Sequence, residues 1–530
     1  MRSEPAKFFF LKSVRTGLAT FFFLATSVAL GEKDAYADQS SHETQSNYPV
    51  FADVTAAAGL VPNGTPFGNP SWGDFDGDGY LDLWVDNHYN SAPYFYKNNG
   101  NGTFTNVFSS TGLDGRGDPH GNGLCDFNND GNLDLHITVG ARGGTLLGMK
   151  SDRTDMNLGG FSFVDVADEA GTDDTWGQGR SVAWGDYDRD GHADLLLGNL
   201  KTDLVLYRNN GDGTFTNVSV AAGLGGLQYN EAAFADYNND SYPDIYMTDV
   251  EEKGARTDRL FRSNGDGTFT DVTDEAGIQP LNQGRSLAWG DYNNDGYLDL
   301  FVSRGPEIQS KQTLYQNNGD GTFVDVTDAA GLGALSNNRA AGWGDFDNDG
   351  YLDLYVVNSG TDPVGKGPNY LYRNNQDGTF KDVASKTGVQ AMAVSRGRGA
   401  SWGDYDNDGF LDLFTNNGED NTSLPPKGPQ FLYHNGGRSY HWLKIKLIGT
   451  LSNRDGLGTK ITITTGRRIQ YRENNGSMGH YLSQQSTPLH FGLGKAIVVN
   501  TIAIIWPSGI TQTMLNVAAD QQLVVTEQQQ

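Results

Sequence analysis

Short apolar runs alternate with acidic, glycine-bearing turns over most of the chain: Leu83-Trp84-Val85, Leu195-Leu196-Leu197-Gly198, Ile245-Tyr246-Met247, Leu300-Phe301-Val302, Leu354-Tyr355-Val356-Val357 and Leu413-Phe414-Thr415. Runs this short, bounded by turn residues and rich in β-branched and aromatic side chains, predict buried strands rather than helices. A second apolar run enters each turn from the other side, as in Arg180-Ser181-Val182-Ala183-Trp184. A third ends at Leu206-Tyr207-Arg208-Asn209-Asn210. After an Asn-Gly and Asp-Gly hairpin signal a fourth follows, Thr214-Phe215-Thr216-Asn217-Val218. Each unit therefore supplies four antiparallel strands.

The unit repeats. Its turn recurs as Trp72–Asp82, Leu124–Asp134, Trp184–Asp194, Phe234–Asp244, Trp289–Asp299, Trp343–Asp353 and Trp402–Asp412, copies 50 to 60 residues apart, a period expected of propeller blades. The fourth-strand phrase also occurs seven times, but one copy, Phe51–Leu60, precedes the first turn. None follows the seventh, where Leu432-Tyr433-His434-Asn435 runs on towards His441-Trp442-Leu443. The expectation is an all-β chain: a seven-bladed β-propeller of four-stranded blades, with the N-terminal strand completing the last blade, then a small all-β domain. Closure of this kind also hides edge strands. Alternation of Leu443, Ile445 and Leu447 with Lys444 and Lys446, with the runs Lys460–Thr464 and Ile497–Trp506, marks the second domain. The predicted boundaries are 48–436 for the propeller and 437–530 for the C-terminal domain.

Upstream, Arg2, Lys7, Lys12 and Arg15 precede an apolar run from Leu18 to Leu30, and Ala35-Tyr36-Ala37 offers a cleavage site. Residues 1–37 read as a signal peptide cut between Ala37 and Asp38, and 38–47 as a disordered lead-in. The run is shorter than the ~20 apolar residues a membrane span needs. A secreted or periplasmic protein with no stable membrane span after processing is expected. Its lone cysteine, Cys125, permits no internal disulfide.

Numbered from its first Asp, each turn places side-chain oxygens at positions 1, 3, 5 and 9, a main-chain carbonyl at 7 and, in six copies, Gly at 6. The sets are Asp74, Asp76, Asp78, Tyr80 and Asp82; Asp126, Asn128, Asp130, Asn132 and Asp134; Asp186, Asp188, Asp190, His192 and Asp194; Asp236, Asn238, Asp240, Tyr242 and Asp244; Asp291, Asn293, Asp295, Tyr297 and Asp299; Asp345, Asp347, Asp349, Tyr351 and Asp353; Asp404, Asp406, Asp408, Phe410 and Asp412. Alternating carboxylates on a glycine-turned loop suit Ca²⁺, which takes six to eight oxygens, better than Mg²⁺ with its tight octahedron. An EF-hand would need a Glu at position 12 and a following helix; here strand follows. In the fourth copy Ser241 replaces the Gly and Pro243 follows, which weakens that site. Six or seven structural Ca²⁺ sites are expected. The seven turns hold 25 Asp, so seven divalent ions would roughly halve the formal charge of −27, an acidity that excludes nucleic acid as a partner.

Four residues before each turn's first residue stand Gly68, His120, Arg180, Asn230, Arg285, Arg339 and Arg398. They should ring the channel mouth remote from the acidic turns. Arg180, Arg285, Arg339 and Arg398 would there form a site for anions or carboxylates. No nucleophile elbow, zinc-binding helix or P-loop appears.

The paired phrases resemble the FG-GAP repeats of integrin α-subunit heads and the VCBS repeats of bacterial secreted proteins, over roughly Val50 to Asn435. Gly456-Leu457-Gly458-Thr459, Gly479-His480-Tyr481-Leu482-Ser483-Gln484, His490-Phe491-Gly492-Leu493-Gly494 and Trp506-Pro507-Ser508-Gly509 resemble the ASPIC/UnbV domain of cartilage acidic protein-like proteins. The resemblance implies a seven-bladed propeller with calcium in the loop joining the first two strands of each blade. The expected function is a calcium-binding, non-catalytic protein that binds or adheres to an extracellular protein or glycan. The alternative is a propeller enzyme acting on a polysaccharide or other anionic substrate in the channel.

Overall fold

The computed structural model describes residues 48–529 apart from 62–67, 88–91, 116–117, 141–150, 250–256, 280, 282–283, 306–310, 334–336, 360–366, 392–395, 419–428 and 477–482. The predicted signal peptide and lead-in lie outside the described residues. Seven four-stranded antiparallel sheets follow one another, their first strands being Pro70–Gly73, Pro119–Cys125, Gly179–Gly185, Glu231–Ala235, Gly284–Gly290, Asn338–Gly344 and Arg396–Gly403. These are blades one to seven. In each, the acidic turn joins the first strand to the second, as between Gly185 and Asp194.

The Trp-Gly pair that opens most turns is explained by packing between blades. The Trp402 indole donates to the Gly342 carbonyl of blade six at 3.2 Å, and that of Trp343 to Ala288 of blade five at 3.1 Å. Glycine must precede the acidic loop because the next blade's ring lies against it: a β-carbon on Gly344 would sit 3.0 Å from Trp402, and one on Gly290 2.9 Å from Trp343. Blades seven and one meet in the same way. The Trp72 indole donates to Ser401 at 3.4 Å, and a β-carbon on Gly403 would lie 2.8 Å from the Trp72 ring. The ring is closed.

Its last blade is composite. Phe51–Asp53 pairs antiparallel with Gln430–Asn435, giving three strands from one end of the chain and one from the other. The remaining strands form two further sheets around a core of Leu443, Ile445, Ile461, Phe491, Ile502 and Trp506. One sheet has three strands, with His441–Ile448 central, antiparallel to Leu489–Gly494 and parallel to Gln521–Thr526. The other orders Arg468–Glu473, Lys460–Thr465, Val498–Ile505 and Thr511–Ala518. Among the described residues no helix is long and apolar enough to cross a membrane.

Candidate metal-binding face

Each acidic loop is held by its own carboxylates. In loop six the Asp345 carboxylate accepts from the amides of Asp349 at 2.9 Å and Gly350 at 2.8 Å, and Asp349 accepts from Tyr351 at 3.1 Å. The last Asp is tied twice: Asp353 accepts from the amides of Phe346 at 3.3 Å and Asn374 at 2.8 Å, which pins the loop to the third strand. That third-strand Asn in turn donates to the previous blade, Asn374 to the Tyr292 carbonyl at 2.8 Å. Positions 4 and 6 are left-handed, as at Asn348 with φ 55° and Gly350 with φ 89°. Ser241 adopts φ 77° and donates to Asp236 at 2.6 Å, so loop four keeps the backbone of the others despite lacking the glycine.

The donor set fits a hard cation. Carboxylate oxygens converge within 4.8 Å in Asp74, Asp76 and Asp78; in Asp186, Asp188 and Asp194; in Asp345, Asp347 and Asp353; and in Asp404, Asp406 and Asp412. In those same four loops the buried Oδ1 atoms of Asp74, Asp186, Asp188, Asp347 and Asp404 have no hydrogen-bond partner. A buried carboxylate oxygen without a donor is costly unless a cation meets it. Burial also pushes Asp82 up to about 8 and Asp126, Asp186 and Asp291 up to about 7, against backbone hydrogen bonds that pull the other way. Such shifts follow from the poor solvation of these anions within the loops. Position 7, held by Tyr80, Asn132, His192, Tyr242, Tyr297, Tyr351 and Phe410, donates its amide to position 5, as Tyr80 does to Asp78 at 3.0 Å.

Two further features lay outside the sequence reading. The five position-4 asparagines link neighbouring loops, each donating to the position-6 carbonyl of the next blade: Asn129 to Gly191, Asn239 to Gly296, Asn294 to Gly350, Asn348 to Gly409, and Asn407 across the closure to Gly79 at 2.9 Å. The signal, an Asn repeated at one loop position, is visible in the sequence, but turn chemistry alone explains it.

The other is that the C-terminal domain sits on the loop face. Lys444 reaches Asp404 at 2.6 Å and Asn407 at 2.7 Å, Lys446 reaches Asp74 at 3.2 Å, and Lys460 pairs with Asp236. Asp455 accepts from the Asp126 amide at 2.7 Å, Asn453 donates to Asp186 at 3.4 Å, and buried Arg472 acts on Asp291 and Asp345 through its charge. Every loop's first Asp thus faces at least one side chain of that domain. A cavity of about 250 Å³ remains between them, its polar wall formed by Asp74, Asp126, Asp404, Lys444, Lys446 and Arg454.

At the inner strands the domain inserts Gln484, Gln485 and Ser486. Gln484 exchanges main-chain bonds with Asn122 and Leu124, and its side chain accepts from the Trp184 amide at 2.5 Å. On the opposite side Gln485 accepts from Ser401 at 2.6 Å, and the Ser486 amide donates to the Trp72 carbonyl at 3.1 Å. The strap therefore bridges blades two and three to blades seven and one.

The four arginines share a geometry. Arg180, Arg285, Arg339 and Arg398 are each the extra residue of a β-bulge at the end of the first strand remote from the acidic loop. A bulge re-aims the side chain it carries. Arg180 donates to the carbonyls of Gly179 at 2.8 Å and Gly140 at 3.4 Å.

Residues 74–137, 186–247, 251–302, 306–356 and 357–415 match a family model described as FG-GAP-like repeat, and 283–323 one described as FG-GAP repeat. Residues 449–530 match ASPIC and UnbV. Cartilage acidic protein 1 of Xenopus tropicalis is 29% identical over 262 residues, covering 47% of this chain and 38% of that protein. Its Homo sapiens counterpart is 27% identical over 255 residues, covering 47% and 37%. The match spans under two fifths of these relatives' length. Among solved structures, the exotype rhamnogalacturonan lyase YesX is 13% identical with a TM-score of 0.38, covering 83% of this chain and 76% of that one.

Proposed function

Because the chain belongs to the FG-GAP-like repeat family, we propose that it is a calcium-stabilised, non-catalytic binding or adhesion protein that meets an anionic partner at its arginine-bearing face. Calcium is the ion because the ligand positions of the loops offer hard oxygen donors, five of their carboxylate oxygens buried without a hydrogen-bond partner. The chain would be exported by cleavage between Ala37 and Asp38 into a compartment where calcium is abundant. The observation that carries the assignment of faces is the position of the C-terminal domain. Its lysines lie on the acidic loops and its Gln484–Ser486 strap spans the inner strands beside them. Recognition then falls to the opposite end, where Arg180, Arg285, Arg339 and Arg398 stand on bulges.

Guanidinium groups bind carboxylates and sulfates through paired hydrogen bonds, so the partner is an acidic glycan or an acidic protein surface. Replacing all four arginines with Gln is expected to weaken binding to polyuronates on a glycan array at least tenfold and to leave the bound calcium unchanged. Undiminished polyuronate binding by the quadruple variant would overturn the assignment of this face.

A further inference from the structure

The seven loops differ at position 3 in a way that the third strand answers. Loops one, three, six and seven carry Asp there: Asp76, Asp188, Asp347 and Asp406. Loops two, four and five carry Asn: Asn128, Asn238 and Asn293. In all four Asp loops, the residue just before the last residue of the third strand is basic and reaches the loop. Lys97 pairs with Asp76 and lies 3.4 Å from Asp78. Arg208 holds Asp188 at 2.7 Å and Asp190 at 3.0 Å. Arg373 holds Asp347 at 2.6 Å and also pairs with Asp349. In loop seven the place belongs to His434, 3.4 Å from Asp406.

In the Asn loops the same strand position behaves otherwise. It is Met156 in blade two and Gln316 in blade five, and in blade four Arg262 turns to Glu275 at 3.4 Å. The loop's own amide makes the missing contact: Asn128 donates to Asp130 Oδ2 at 3.1 Å, Asn238 to Asp240 Oδ2 at 2.8 Å and Asn293 to Asp295 Oδ2 at 2.8 Å. The position-5 oxygen met from the third strand in loops one, three and six is therefore met from within in loops two, four and five. Lysines from the C-terminal domain do not follow this division, since Lys446 and Lys444 fall on Asp loops and Lys460 on an Asn loop.

We infer that Lys97, Arg208 and Arg373 trim the charge of the metal sites, each offsetting the additional Asp at position 3 so that, counted within the blade, loops one, three and six carry the same net −3 as loops two, four and five. The inference rests on the calcium reading. Its geometry leaves room for metal and cation together, because the arginines take the Oδ2 atoms of Asp188, Asp190, Asp347 and Asp349. The Oδ1 atoms of Asp188 and Asp347, in the same carboxylates, have no hydrogen-bond partner. Calcium affinity follows the ligand charge count of a loop. Matched counts within the blades narrow the spread of affinities that the additional Asp would otherwise create.

The test uses the full exported chain. Equilibrium dialysis with metal analysis first counts calcium in the wild type; fewer than four ions would sink the calcium reading itself, whatever the arginines do. Given six or seven ions, Arg208→Met is expected to leave the count unchanged and to tighten one site by roughly tenfold, the effect of one unit of charge a few ångströms from a divalent ion. It should also lower the thermal midpoint in EGTA. Asp188→Asn together with Arg208→Met should restore both values, and the pair Asp347→Asn with Arg373→Met should do the same in loop six. A count that rises by one when the arginine is removed would show that the guanidinium stands in the metal's place. That result, or an affinity and an EGTA midpoint unmoved by R208M and R373M, would overturn the proposal.

Discussion

Stripping calcium with EGTA is expected to lower the thermal midpoint of the chain by tens of degrees and to collapse the propeller rather than switch it between two ordered states. With free calcium at ~2 mM and a dissociation constant near ~0.1 mM, typical of extracellular sites, each ion adds about 1.8 kcal/mol. Six or seven independent sites add roughly 11 to 13 kcal/mol, as much as the whole net stability of an ordinary domain. The structure shows why so little would remain. The last Asp of each loop is buried and joins the loop to the third strand, as Asp353 does between Phe346 and Asn374. Without a cation its charge strains the contact that organises the blade.

The metal-free chain should also respond to pH with the opposite sign to most proteins. Asp82 is raised from the usual carboxylate range to about 8 and Asp126, Asp186 and Asp291 to about 7, chiefly by burial. Between pH 4 and 8 the folded state then holds more protons than the unfolded one, so stability falls as pH rises. In EGTA the midpoint should be higher at pH 5 than at pH 8, and calcium should remove that difference. A shift of only a degree or two on chelation would overturn the structural role of the ion.

What repeats was legible in the sequence. Seven loops, four strands per unit and the displaced Phe51 phrase are each stated several times by the chain, and register follows from periodicity. The Trp-Gly pair is legible for the same reason, since one inter-blade contact recurs through Trp72, Trp343 and Trp402. What depends on a single contact distant in the chain was not legible. Alternation along Leu443-Lys444-Ile445-Lys446 shows that the strand has a polar side. Nothing local says that this side meets Asp404 and Asp74, about 40 and 372 residues away in the chain. The arginines fall between. Their spacing from the turn is in the sequence, but the bulge that isolates Arg180 between Gly179 and Ser181 is a backbone detail no propensity encodes.

Removing residues 38–60 is expected to open the ring and cost the propeller its cooperative fold. Phe51, Ala58 and Leu60 are buried, and Phe51 packs on Phe346 and Trp402 at 6.0 and 6.2 Å between ring centroids. At about 1.5 to 3 kcal/mol for each large apolar side chain, their loss amounts to roughly 5 kcal/mol. Hydrogen bonds go with them: the Val54 amide to Leu432 at 2.9 Å, and the Leu432 amide to the Thr55 hydroxyl at 2.9 Å. The strand Gln430–Asn435 would then become an unpaired edge, and edges of that kind recruit other chains. The truncated protein should therefore melt more than ten degrees lower and elute as oligomers, and a peptide spanning residues 48–61 added in trans should recover monomer. Because Asn435 also ties blade seven to the Phe346 carbonyl of blade six at 2.8 Å, the damage should spread to the neighbouring loop and release calcium from sites six and seven first. A truncated chain that stays monomeric with an unchanged midpoint would show that the ring does not depend on this strand for closure.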